Sequence, residues 1–119
     1  MPFEDYNPTV MEHFLNPRNT GELNAPTHQA MVRNPACGDM VKLTARVAEG
    51  IIREVRVKTF GCAAAIASSS ALSEMLLGRS LAEARALKNL DVVAFLGGLP
   101  EYKIVCSVAA EQAVKEAFA

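Results

Sequence analysis

Apolar and polar positions along this chain follow two different periods, and the changeover falls near Gly61. Over Pro8–Leu15 the apolar residues Val10, Met11, Phe14 and Leu15 recur at helical spacing. Asn7 suits an N-cap, Pro8 suits the first helical position, and Asn16-Pro17 ends the run. Residues 18–28 are rich in Asn, Thr, Gly and Pro and predict a loop. Residues 29–33 form a short strand candidate. In residues 40–47, Val41, Leu43, Ala45 and Val47 alternate with Lys42, Thr44 and Arg46, the period of a half-buried strand. Glu49-Gly50 marks a turn. Ile51–Phe60 then sets Val55, Val57 and Thr59 against Glu54, Arg56 and Lys58. Two alternating runs across a tight turn predict an antiparallel hairpin. With residues 29–33 they make a small sheet with one solvated face.

Beyond Gly61 the spacing is helical. Residues 62–77 open with small side chains and continue with Leu72, Met75 and Leu76; Gly78 is placed to stop them. Ser80-Leu81-Ala82-Glu83 has the capping-box pattern. Asn89 is placed to cap a helix through Leu96, ended by Gly97-Gly98. Residues 107–118 close the chain with Ala110, Val114 and Phe118 on one face. Strands followed by a run of helices predict an α+β fold, with the helices packed on the buried side of the sheet.

Composition narrows the possibilities. A chain of 119 residues is expected to be one domain, residues 1–119, with a real core. Half the residues are apolar but there is no Trp, so Ala, Val, Leu and Ile should build that core. The formal charge of -1 points to neither nucleic acid nor an anionic membrane as partner. No apolar run approaches the ~20 residues that span a bilayer. Glu4, Asp5 and Glu12 do not fit a signal peptide, so a cytoplasmic location is expected.

Three cysteines make an odd number, which argues against a disulfide framework. In a reducing compartment such residues are buried and inert, catalytic, or metal-binding. Cys37 and Asp39 lie two residues apart in Asn34-Pro35-Ala36-Cys37-Gly38-Asp39, where Pro35 restrains Asn34 and Gly38 permits unusual backbone geometry. Cys62 and Cys106 are each expected where a helix begins. Unpaired N–H groups and partial positive charge there favour thiolate, the form that ligates metal. The Ala63-Ala64-Ala65 run leaves little side-chain bulk beside Cys62, so that a cofactor or partner can approach. Three thiols and one carboxylate complete a four-ligand set that suits zinc or an iron–sulfur cluster. A carboxylate is the harder, weaker ligand, which favours transfer over storage. His13 and His28 fit surface or packing roles better than ligation. Lys103, three residues before Cys106, is placed to pair with an anionic cluster or with Asp39; a solvated loop lysine is the alternative.

At these residues the chain resembles the IscU-type iron–sulfur cluster scaffolds, which include the NifU N-terminal domain. The resemblance is carried by Asn16-Pro17-Arg18-Asn19 with Gly21, Pro35-Ala36-Cys37-Gly38-Asp39 with Lys42-Leu43, and Phe60-Gly61-Cys62. Ala65-Ile66-Ala67-Ser68-Ser69-Ser70, Lys103-Ile104 and Cys106-Ser107 continue it. It implies an IscU/SufE-like α+β fold: a three-stranded antiparallel sheet with helices on one face. It also implies a non-enzymatic scaffold that receives sulfur from a cysteine desulfurase, builds a [2Fe–2S] cluster with iron and passes it to apo iron–sulfur proteins. Cys37, Asp39, Cys62 and Cys106 carry over as cluster or metal ligands. Cys106 carries over as the persulfide acceptor, and Lys103 as a residue just outside the ligands. A frataxin-like protein joins the implied partners, a homo-oligomer is implied for the cluster-bound state, and zinc can occupy the purified protein.

Three departures matter. Val105 stands where many members have histidine, so Asp39, an exogenous group or a residue of another subunit must supply the fourth ligand. Ala63 replaces a common glycine. Leu99-Pro100-Glu101-Tyr102-Lys103 replaces Leu-Pro-Pro-Val-Lys, which argues against recognition by a DnaK-like chaperone. The competing expectation is a zinc-dependent sulfurtransferase of SufU type, whose usual insertion before the last cysteine is not found.

Overall fold

A computed structural model of the chain describes residues 5–35 and 38–119. The described residues run α1 (Pro8–Leu15), β1 (His28–Arg33), β2 (Met40–Ala48), β3 (Ile51–Phe60), α2 (Ala63–Leu76), α3 (Leu81–Arg85), α4 (Asn89–Phe95), a 3-10 helix (Glu101–Ser107) and α5 (Val108–Ala117). The strands form an antiparallel sheet in the order β1-β2-β3. Helices α2 and α5 cover its inner face, α2 over β3 and α5 over β1 and β2. This is the α+β architecture that the pattern predicts. No helix among the described residues is long and apolar enough to cross a membrane.

The hairpin connection is two residues long. Ala48 pairs with Ile51, and both Glu49 (φ 57) and Gly50 (φ 75) lie in the left-handed region, as a type I′ loop requires. The register then shifts: Val47 pairs with Ile52 but Arg46 pairs with Glu54, leaving Arg53 as a bulged residue. The bulge resolves a change of parity in β3, where Ile52 and Val55 both face the core although they are an odd three positions apart. It also carries the pairing to Met40 opposite Phe60, so the residues that follow at this end are Asp39 and Gly61.

The outer face of the sheet is only partly solvated, contrary to expectation. Thr44 is buried because the 22–27 loop folds over it, and the Leu23 N–H donates to Thr44 Oγ1 at 3.0 Å. Lys42 pairs with Glu22 at 3.0 Å, and the Arg46 guanidinium donates to the Asn24 carbonyl.

Helix α2 is buried on almost every side. Its alanines and serines permit close approach of α1, β3, α4 and α5 around it. Of the small residues after Cys62, Ala64 and Ala65 lie in the core and serve packing, while Ala63 is half-buried. Phe118, Leu43, Ile52, Leu72 and Leu76 are fully buried, each contributing about 1.5–3 kcal/mol relative to exposure. In α1, Leu15 is 65% exposed, and the buried residues are Val10 of the apolar stripe and, beside it, His13. The His13 Nδ1 and Ser70 Oγ are 2.8 Å apart, so a polar contact joins the apolar one that Val10 makes in seating α1. Lys88, not Asn89, is the N-cap of α4; its N–H is taken by the Asp91 carboxylate at 2.9 Å. Asn89 instead joins α4 to the last helix, donating to Ser107 Oγ at 3.1 Å and, through its N–H, to Glu111 Oε1 at 2.7 Å.

Candidate metal centre

Antiparallel pairing brings the end of the 34–39 loop beside the start of α2. Gly38 has φ +71, the left-handed geometry that the sequence assigned to it. Asp39 is 4% exposed, yet its carboxylate has work on two sides. Oδ1 accepts the N–H of Cys62, the N-cap of α2, at 3.3 Å, and Oδ2 lies 3.8 Å from Cys62 Sγ. In a capping box the N3 side chain reaches back to that N–H; here a residue 23 positions earlier does so.

Gly61 makes this approach possible. A Cβ on Gly61 would stand 2.3 Å from Asp39 Oδ1, 2.6 Å from Cγ and 2.9 Å from Cβ. No side chain other than hydrogen fits there while Asp39 keeps its place.

Cys106 arrives from the other end of the chain and is 2% exposed. It lies within the 3-10 helix, which runs directly into α5. The expectation that a helix begins at Cys106 is therefore corrected, whereas Cys62 is the N-cap of α2. One ligand atom each from Asp39, Cys62 and Cys106 all lie within 4.8 Å of one another. Neither described cysteine is in a disulfide. Two soft sulfurs and a carboxylate oxygen at this spacing are donors that fit zinc or a small iron–sulfur cluster. Cys37 lies outside the described residues.

Val105 has an exposed side chain, and its carbonyl accepts Asn34 Nδ2 at 2.9 Å. Lys103 lies in the 3-10 helix, and no ion pair joins it to Asp39 among the described residues. His28 faces Phe118 with ring centroids 5.5 Å apart, a packing role as expected.

Tyr6 was not singled out by the sequence. It is buried in the core, and burial pushes its phenol up to about 12, with negative charge at Cys62 and Cys106 pushing the same way. It therefore stays protonated near the thiols at neutral pH. No local pattern marks it, because only the fold brings the N-terminal segment to this end of the molecule. The roles of Gly61 and Asn34 were also missed. Gly61 stood in the Phe60-Gly61-Cys62 motif, but its steric reason needs the strand register. Asn34 was read only for the backbone restraint that Pro35 imposes.

The model of the family described as NifU-like N terminal domain matches residues 5–119. The chain is 48% identical over 118 residues to the iron-sulfur cluster assembly scaffold protein IscU of Escherichia coli K12, spanning 96% of this chain and 91% of that protein. It is 47% identical over 116 residues to the protein of the same name from Azotobacter vinelandii, spanning 94% and 90%. The crystal structure of a nitrogen-fixing NifU-like protein (N-terminal) from Brucella abortus superposes with a TM-score of 0.78 at 22% identity, over 97% of this chain and 92% of that one, a likeness of fold. The chain belongs to the NifU-like N-terminal domain family.

Proposed function

We propose that this protein is a scaffold, acting as a single domain, on which [2Fe–2S] clusters are assembled and from which they pass to apo-proteins. The observation that carries the proposal is the grouping of Asp39, Cys62 and Cys106 with ligand atoms within 4.8 Å of one another. Relatives named as iron-sulfur cluster assembly scaffolds, at 47–48% identity over nearly the whole chain, support it. Cys37 is the proposed fourth contributor and Asp39 the labile one, since carboxylate oxygen is the hardest donor of the set. Lys103 is the proposed neighbour of the anionic cargo. Thiolate chemistry fits the reducing cytoplasm.

Sulfur enters by persulfide exchange with a cysteine desulfurase. The Cys106 thiolate attacks the outer sulfur of the desulfurase persulfide. The old S–S bond breaks, a new one forms at Cys106 Sγ, and the desulfurase cysteine leaves as thiolate. Reducing that sulfur to sulfide takes two electrons from an external donor. Because Cys106 is buried, acceptance requires the 3-10 helix to open, and its poorer hydrogen-bond geometry makes it a ready place for such movement.

Anaerobic incubation with ferrous iron, a cysteine desulfurase, cysteine and a dithiol as electron donor is expected to give the visible absorption of a [2Fe–2S] centre. Added apo-ferredoxin should then take up the cluster. A fully reduced protein that develops no such band is not a scaffold. A zinc-dependent sulfurtransferase would pass sulfur without delivering a cluster, and among the described residues no feature of the site favours that alternative.

A further inference from the structure

Asn34 stands where β1 gives way to the loop that ends at Asp39, and it is 6% exposed. Its backbone closes that loop: its N–H donates to the Asp39 carbonyl at 2.7 Å, and its carbonyl accepts the Gly38 N–H at 2.7 Å. Its side chain works elsewhere. Nδ2 donates at 2.9 Å to the carbonyl of Val105, 71 residues away and one peptide before Cys106. One residue therefore holds the carboxylate-bearing loop with its main chain and the Cys106 segment with its amide. The Asp39 carboxylate in turn accepts the Cys62 N–H. All three ligand-bearing segments are joined through this short series of hydrogen bonds.

We propose that Asn34 is the positioning residue of the metal centre, fixing Cys106 against Asp39 and Cys62 through its side-chain amide. The inference rests on the metal-binding role proposed above. Two physical arguments support it. The Cys106 segment is a 3-10 helix, an element with weak internal hydrogen bonds, so an external restraint has unusual leverage on it. The Val105 carbonyl also accepts the Val108 N–H, a bond within its own end of the chain, so losing the Asn34 amide removes the side-chain bond that ties this carbonyl to the Asp39 loop. Val105 has no polar side chain to supply a restraint from its own side.

Substituting groups that orient metal ligands typically weakens metal affinity roughly 10- to 100-fold. The test is titration of the full-length, reduced protein with Co2+ under anaerobic conditions, read by thiolate-to-metal absorption. It is run on the unaltered protein, Asn34→Ala and Asn34→Leu. Leucine fills a similar volume but cannot donate. Both variants are expected to bind Co2+ roughly 10- to 100-fold more weakly, with thiolate bands reduced per bound ion. A role in folding alone would lower the melting temperature but leave the spectrum of the bound ion unchanged. Variants that match the unaltered protein in affinity and spectrum would overturn the inference. If the unaltered protein itself binds no Co2+, the metal-binding role fails first and the inference falls with it. Should both variants fail to fold, solvent exchange of the Asn34 side-chain amide in the unaltered protein decides. Protection that increases on Zn2+ loading supports the assignment, and exchange at the free-amide rate in the Zn2+-loaded protein overturns it.

Discussion

Gly61 shows how much chemistry a missing side chain can carry. The Asp39 carboxylate occupies the space that a Cβ on residue 61 would take, with three Asp39 atoms inside 3.0 Å of it. Moving only the end of Asp39 would not relieve the overlap, because its Cβ is among those atoms. Gly61→Ala is therefore expected to destabilise the protein by about 1–3 kcal/mol, the usual cost of overpacking, measured by urea unfolding. It should also mimic Asp39→Ala in slowing cluster release to apo-ferredoxin, since both remove the labile oxygen from its place. The two changes should not add. With Asp39 already shortened to Ala, the Gly61→Ala penalty should shrink in a double-mutant cycle to what the remaining Cβ of residue 39, 2.9 Å away, still costs. Additive costs would show that Gly61 is needed for some reason other than Asp39. At this scale the sequence was informative about chemistry and silent about geometry. Cys62, Cys106 and Asp39 were identifiable by residue type, whereas Gly61 and Asn34 act through neighbours that only the folded register supplies.

Elements were legible where their signals are local. The Pro8–Leu15 helix, the Glu49-Gly50 turn, the Ile51–Phe60 strand and the Ser80–Glu83 capping box all follow from residues within one turn of one another. The bulge at Arg53 was also written in the chain, in the switch of inward positions from Ile52 to Val55, but alternation was read as continuous across it. Asn7 marks the limit. Its Oδ1 accepts the Val10 N–H at 2.8 Å, which is the predicted N-cap of α1. Its Nδ2 donates to the Leu96 and Gly98 carbonyls at 3.0 and 3.1 Å, closing the C-terminal end of α4. That second task involves residues about ninety positions away, and no local pattern announces it. The two tasks can be separated. Aspartate caps helices as well as asparagine does but cannot donate. Asn7→Asp should therefore keep α1 capped and still cost about 1–3 kcal/mol, from two lost bonds of about 0.5–1.5 kcal/mol each. Equal urea midpoints for the two proteins would mean that the link to α4 contributes nothing.

Across the whole molecule, the N-terminal residues are held to the rest by polar clasps as well as by Tyr6 and Val10 in the core. Asn7 reaches α4, the Tyr102 hydroxyl donates to Asp5 at 2.6 Å, and His13 meets Ser70 of α2. The Ser70 hydroxyl also accepts the Arg18 N–H at 2.9 Å, so its own proton is free to serve the neutral His13 ring. Burial, and after it the Arg18 guanidinium, holds the His13 pKa below its ordinary 6.5, although Glu74 and Glu12 pull the other way. The sign of the pH effect follows. In the unfolded chain His13 regains its ordinary value, so just below pH 6.5 the unfolded state carries more protons than the folded one. Acidification through that window then favours unfolding. The stability contributed by neutral His13 is complete above about 6.5 and is lost as pH falls through the lowered folded value. The metal-free protein should show a falling melting temperature between about pH 7 and pH 5. His13→Asn retains a polar group for Ser70 but cannot be protonated. It should start from a lower melting temperature and follow a flatter profile over the same range. An equally steep profile in that variant would assign the acid lability to other groups. The expected difference arises because α1 is fastened to the buried helix at the centre of the fold by a histidine, where a leucine at the same contact would be indifferent to pH.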